Sequence, residues 1–383
     1  MNYRFVTVLL ATAFFEQVTT SLIRVTTTYR AVELDLSVVW LGIITAAFAM
    51  LPIGLAVPVG RFIDRGNDAR TAWIGGILQV IACVGLALWQ SLTALLVFTA
   101  LLGTAHLMLV ISQQVLCTRV GGIGSMERML GNYMLANAVG QGVGPYIVGW
   151  TGGDASIPPT QLLFWIGLGA SALSCLSALM LRSPGTPTPP VEGSKPMPVR
   201  DILRLPGITI LFVMSIVTVS AQDLVVVYLP LLGAERAMAV DAVGLLLTVR
   251  AVASMLARLA FARLNDWLGT RALMILSTYA GAVSYVALAM PLPFALMNVA
   301  IAVAGFALGV AVTVSIAALL SLASAEARGT ANSLRMMGNR VGQFTIPVIA
   351  GLVAAAAGAA SIFFILGLTL VAAAAAAQRR GRT

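Results

Sequence analysis

Apolar stretches of roughly 20 residues, the length an α-helix needs to cross the hydrocarbon core of a bilayer, recur from one end of this 383-residue chain to the other. Backbone placed in lipid must satisfy its own polar groups, which a helix does within a single segment. The pattern therefore predicts an all-α membrane protein, with helices at about 5–29, 38–62, 71–89, 94–118, 128–150, 161–181, 207–232, 241–262, 272–290, 293–322, 329–355 and 359–377. Hydrophobic residues make up 59% of the chain and charged residues 10%, against about a quarter charged in a soluble domain. The opening segment, with its basic start and its Ala11 to Ala13 triplet, has some features of a cleaved leader. Its apolar run contains Glu16 and continues to about Tyr29, so we read it as the first span.

The net charge of +9 does not point to nucleic acid, because the arginines are scattered over short loops and form no single basic face. They follow a topological rule instead. With the N-terminus inside, one side of the membrane receives Arg4, Arg61, Arg65, Arg70, Arg119, Arg128, Arg182 and Arg263, among others, while the outer loops receive only Arg30 and Arg236. Lys and Arg beside a span resist translocation, so both termini are expected in the cytoplasm and the protein in the inner (plasma) membrane. Cys83, Cys117 and Cys175 fall in or beside apolar spans with no CxxC spacing, and neither a metal site, a disulfide framework nor a cofactor is expected.

Between the sixth and seventh spans, residues 183–206 include a Pro-, Gly- and Thr-rich stretch that cannot continue a helix. It divides the chain into a bundle at 1–182 and a bundle at 207–383. Laying one on the other with an offset of about 200 residues aligns Asp64 with Asp266, Arg61 with Arg263, and Gly149 with Gly351, so one six-helix unit occurs twice in parallel.

The aligned aspartates lie in two related loops. The first reads Gly60-Arg-Phe-Ile-Asp64-Arg65-Gly66, and the second reads Arg-Leu-Asn-Asp266-Trp-Leu-Gly269-Thr-Arg271. Both resemble the G-x-L-x-D-R-x-G-R-R loop signature of the major facilitator superfamily, with the second glycine displaced in the first copy and the first replaced by Ala in the second. The fifth span adds Gly140-Gln-Gly142-Val-Gly144-Pro145 and Gly149, which resembles the antiporter motif of drug–proton exchangers in that superfamily. The alternative for this motif is a general packing face, since small residues every fourth position let helices approach closely. One departure matters: many members carry an arginine early in the fourth span, whereas Thr99 to Leu109 offers only His106 here. The relay built on that arginine is not carried over.

The resemblance implies an alternating-access transporter with two parallel six-helix repeats. It also implies that Asp64 closes against the start of the eleventh span near Arg328, and Asp266 against the start of the fifth near Arg128. There a carboxylate is favoured by exposed N–H groups and the helix dipole. The third, sixth, ninth and twelfth spans contain no ionisable residue, and those are the lipid-facing helices of the family.

Ionisable groups at bilayer depth are costly and usually functional. Glu16 and Asp223 lie near mid-membrane and are candidate proton carriers; the alternative is a carboxylate locked to an arginine. His106 is a candidate relay, because imidazole titrates nearest neutrality, or a simple hydrogen-bonded histidine. Arg24, Arg250 and Arg340, with Gln17, Gln113, Asn137, Gln141, Gln222 and Gln343, are candidate substrate contacts. An excess of buried arginine favours an anionic partner, the alternative being backbone carbonyls and water.

The function read from the sequence is proton-coupled export of a small organic or amphipathic compound by a monomer, with organic-anion carriage as the alternative. An enzyme lacks a nucleophile–base pair or metal ligands here. A sensor would normally carry an output domain, and no phosphate-binding G-x-x-x-x-G-K-[ST] loop occurs for ATP-driven transport.

Overall fold

The computed structural model describes residues 3–118, 125–182, 207–322 and 328–379. These residues form eleven α-helices: α1 (Tyr3–Glu33), α2 (Val38–Phe62), α3 (Asp68–Leu88), α4 (Leu92–Thr118), α5 (Ser125–Gly152), α6 (Thr160–Leu179), α7 (Ile208–Glu235), α8 (Val240–Leu268), α9 (Thr270–Ala289), α10 (Phe294–Leu322) and α11 (Arg328–Arg379). Ten stretches among the described residues are long and apolar enough to cross a membrane. The exception is α5, whose apolar character is diluted by its glycines and by Asn132, Asn137 and Gln141.

Two helices were expected over 329–355 and 359–377, and α11 takes in both as helical stretches on either side of one break. Alanines on both sides of the break favour helix. The break is confined to Gly358, whose φ of 76° and ψ of 168° lie outside helical space and in a region open to glycine. The expected linker, 183–206, lies outside the described residues.

The loop signatures have a common backbone cause. Between α2 and α3 a π-helical turn, Ile63–Asn67, carries Gly66 at φ 85°. Between α8 and α9, Gly269 takes φ 74°. Each loop needs one left-handed residue to reverse the chain, and glycine fills it one position earlier in the first copy than in the second.

The described residues group into two compact units. In the first, which also takes in Gly233–Thr248, α1 packs on α5 and α6, α3 on α4 and α6, and α2 on α4. Its core includes Val6, Leu9, Leu109, Leu116 and Leu181. The second joins the rest of α7 and α8 to α9, α10 and α11, with α9 packed on both α10 and α11. Its core includes Leu211, Met214, Leu273, Val310 and Val314.

The internal repeat is visible in the closest helix approaches. A Cβ on Gly103 would lie 1.8 Å from the carbonyl oxygen of Phe48, and one on Gly305 would lie 2.4 Å from the carbonyl oxygen of Arg250. Both crossings are related by the same offset of about 200 residues that aligns the loops. Phe48 in one half thus occupies the position of Arg250 in the other. The helices whose charged residues lie only near their ends expose apolar side chains along their middles: Ile74, Ile77 and Ile81 on α3, Leu173 and Leu176 on α6, Leu276 and Val283 on α9, and Phe364 and Leu368 on the last part of α11. Such faces suit lipid.

Candidate functional site

In the first unit the polar residues of α1 and α4 meet. Glu16 is fully buried, and its Oε1 lies 2.6 Å from Nδ1 of His106. Thr20, one turn along α1, donates to the same oxygen at 2.9 Å. Gln79 of α3 donates to the backbone carbonyl of Glu16 at 3.4 Å. Glu16 Oε2 is buried without a hydrogen-bond partner among the described residues. A carboxylate oxygen and an unprotonated ring nitrogen are both acceptors, so a 2.6 Å contact requires a proton between them. With that proton on Nδ1, the far ring nitrogen remains able to take a second.

The same array continues through an aromatic ring. The rings of His106 and Phe48 are 5.4 Å apart, and the Arg24 guanidinium sits 5.0 Å from the centre of the Phe48 ring. Such a guanidinium is held by the negative face of the ring. The sequence picks out Glu16, His106 and Arg24 separately, and folding brings them together. Phe48, Thr20 and Gln79 carry no distinguishing signal, because an aromatic, a threonine or a lone glutamine in an apolar helix most often packs or bonds locally.

The second unit has its own network. Asp223 of α7 accepts from Gln343 Nε2 of α11, and Gln343 Oε1 in turn accepts from Arg340 at 3.0 Å. Arg250 is buried on α8, and both it and Asp223 lie within electrostatic reach of Tyr285, which donates to the carbonyl of Ala221 at 2.9 Å. Arg335 is buried and donates to Ser215 at 3.3 Å, and Ser215 donates to Asn339 at 3.1 Å.

The remaining candidates divide. Gln113 is fully buried, and among the described residues neither its amide atoms nor the buried Asn137 Oδ1 finds a hydrogen-bond partner. Gln17, Gln141 and Gln222 are half-buried. On α5 the motif glycines serve close packing. A Cβ on Gly140 would meet the carbonyl of Phe14 at 2.5 Å, one on Gly144 would meet Ser21 at 2.1 Å, and Gly149 packs on Gly244. Pro145 lies inside the helix.

Of the signature residues, Gly60 lies in the last turn of α2 with open space beside it, and Arg65 and Asp266 are exposed. Arg271 donates to the carbonyl of Gln378 at 3.0 Å. The side chains of Asp64, Arg128 and Arg328 lie outside the described residues, so the two expected closing contacts do too.

The chain matches the sequence description of the Major Facilitator Superfamily over residues 9–240 and 211–380. No curated protein sequence matches it significantly. Its fold is similar to that of a mutant of the nucleoside transporter NupG, with a TM-score of 0.82 at 13% identity over 98% of this chain and 99% of that one. It is similar also to a bacterial homologue of the human lysosomal transporter Spinster, with a TM-score of 0.79 at 15% identity over 99% and 96%. A POT family transporter in complex with a thioalcohol-conjugated peptide gives 0.79 at 11% identity over 98% and 96%. At such identities the likeness speaks for the fold alone. With the family match spanning both halves and apolar helices recurring throughout, this multi-pass membrane protein belongs to the Major Facilitator Superfamily and is a transporter.

Proposed function

We propose that the protein is a proton-coupled secondary active transporter that moves a small organic compound by alternating access, with Glu16 and His106 as the proton site. The 2.6 Å contact between them carries this reading. With one shared proton the pair holds a single negative charge, and a second proton neutralises it. A carboxylate fully buried on a spanning helix makes that change of charge energetically large. Asp223, tied to Arg340 through Gln343, is the second candidate carrier.

For the substrate, Arg24 and Arg340 on spanning helices support an organic anion. The second reading is export of an amphipathic compound, which the α5 motif supports. Close packing also accounts for Gly140, Gly144 and Gly149, so the motif favours exchange less than the arginines favour an anion. The names of the similar structures, which include nucleoside and peptide-binding transporters, are consistent with small organic cargo. The same reading includes twelve spans counted across the Gly358 break, two bundles joined by 183–206, both termini in the cytoplasm and an inner-membrane location. It also includes Asp64 and Asp266 as gate elements.

The experiment is uptake and efflux in proteoliposomes against a metabolite library with an imposed pH gradient. Compounds whose accumulation follows the gradient and collapses with a protonophore support the proposal. Movement of compounds that ignores the gradient refutes the coupling.

A further inference from the structure

The start of α1 and the end of α6 enclose a cavity of about 460 Å³ lined by Arg4, Phe5, Val8, Leu179, Met180 and Arg182. Small-molecule pockets begin at about 300 Å³, so the space suits a glycerophosphate headgroup. Both arginines are exposed, and among the described residues neither has a carboxylate partner. The rest of the lining is apolar. From it an exposed apolar lane runs back along α6 through Met180, Leu176 and Leu173, which are spaced three or four residues apart and so share one face. Trp73 of α3 donates to the carbonyl of Leu181 at 3.1 Å and fixes the end of α6. Indoles collect at the headgroup level of a bilayer. We infer that this cavity binds an anionic phospholipid of the surrounding leaflet, with Arg4 and Arg182 on its phosphate and an acyl chain along Leu173, Leu176 and Met180.

The charges favour an anion. A guanidinium presents a planar fork of donors that matches phosphate oxygens, and two of them face one cavity here. The carbonyls that end α6 attract Arg182 and offset part of its charge, while the N–H groups in the first turn of α1 favour a phosphate. The apolar part selects the source. A soluble anion gains nothing from Phe5, Val8, Leu179 and Met180, whereas a lipid brings a phosphate and hydrocarbon on one molecule. Basic pockets between spanning helices hold anionic headgroups in this way. An arginine that only sets topology needs its charge and no cavity. The site lies on the lipid side of one bundle and does not depend on Glu16–His106 carrying protons.

The test places the full-length protein in nanodiscs of phosphatidylcholine doped with phosphatidylglycerol and counts the retained lipids by native mass spectrometry. Wild type should retain phosphatidylglycerol in preference to phosphatidylcholine. Arg4→Gln and Arg182→Gln should each lower that preference about fivefold, the effect of one basic residue at a lipid surface. Arg4→Lys, which keeps the charge, should preserve most of it. Arg263→Gln, which removes an exposed arginine from the second unit, should leave it unchanged. An equal loss in Arg263→Gln overturns the inference, because surface charge in general then accounts for the binding. Wild type without a preference overturns it too. Displacement of the lipid by an equal concentration of glycerol 3-phosphate assigns the cavity to a soluble anion and overturns the lipid. A preference that emerges only after Glu192→Gln and Asp201→Asn shows that the chain's own carboxylates hold the arginines, with the same consequence. Should an arginine variant fail to fold, wild type decides alone: phosphatidylglycerol with a photoactivatable diazirine in its acyl chain should mark residues 173–180. Adducts confined to other helices overturn the inference.

Discussion

Gly103 sits so close to Phe48 that a Cβ at position 103 would lie 1.8 Å from the Phe48 carbonyl oxygen. Backbone cannot yield as a side-chain tip does, so Gly103→Ala must push α2 and α4 apart. Overpacking of this kind costs about 1–3 kcal/mol. The variant should melt below the wild type in detergent, whereas Gly54→Ala, on the same helix as Phe48 with nothing within 4 Å of its Cβ, should not. Equal melting of the two variants would show that the crossing is looser than described.

The crossing repeats at Gly305 and Arg250, with a 2.4 Å approach. Here the neighbour is the backbone of a buried arginine, so displacement should disturb function as well as stability. Gly305→Ala should reduce transport at an expression level where Gly54→Ala does not, measured as initial uptake rate per folded protein. Wild-type rates in Gly305→Ala would argue against a transport role for the position of Arg250.

Gln343 joins Asp223 to Arg340. Gln343→Ala removes one hydrogen bond from each of two charged groups, and losing such a partner in a buried setting costs about 1–3 kcal/mol. We expect a lower melting temperature together with weakened transport. If melting falls and transport per folded molecule is unchanged, the network is structural only.

A carboxylate at a helix N-terminus contributes roughly 0.3–2 kcal/mol, and in the proposed cycle that contact exists only while the cytoplasmic side is closed. Asp64→Asn should therefore shift the population toward the inward-open state, and a change of about 1.4 kcal/mol alters the ratio tenfold. Turnover should slow, and cysteines introduced along the inner cavity should label faster. Asp266→Asn should act likewise but more weakly. Unchanged labelling in both, with normal expression, would leave these aspartates a topological role alone.

Helix existence was legible because hydropathy over 20 residues is a strong signal in a chain with so few charges. The end of α2 was legible beside Gly66, whereas α8 runs past its expected end at 262 to Leu268, where Gly269 takes positive φ. Within Arg328–Arg379 the helical stretches on either side of Gly358 match the two helices expected there, and glycine again supplies the backbone that interrupts them. Polarity identified Glu16, His106, Arg24, Asp223, Gln343 and Arg340 as residues out of place in lipid. It did not pair them, because which helices touch depends on small residues at crossings, such as Gly103 and Gly140. Phe48 stayed hidden for a different reason: only the fold gives its ring His106 and Arg24 as neighbours, and nothing in an apolar helix distinguishes it from other packing aromatics.

The central claim is that the Glu16–His106 pair couples transport to protons. The most direct measurement is uphill accumulation in proteoliposomes under an imposed pH gradient, for a compound that the library screen shows to be moved, compared between wild type and Glu16→Gln. Glutamine keeps the size of the side chain and removes its proton chemistry. Glu16→Gln should lose gradient-driven accumulation while retaining exchange of the compound at equal pH on both sides. Undiminished uphill accumulation in Glu16→Gln would contradict it.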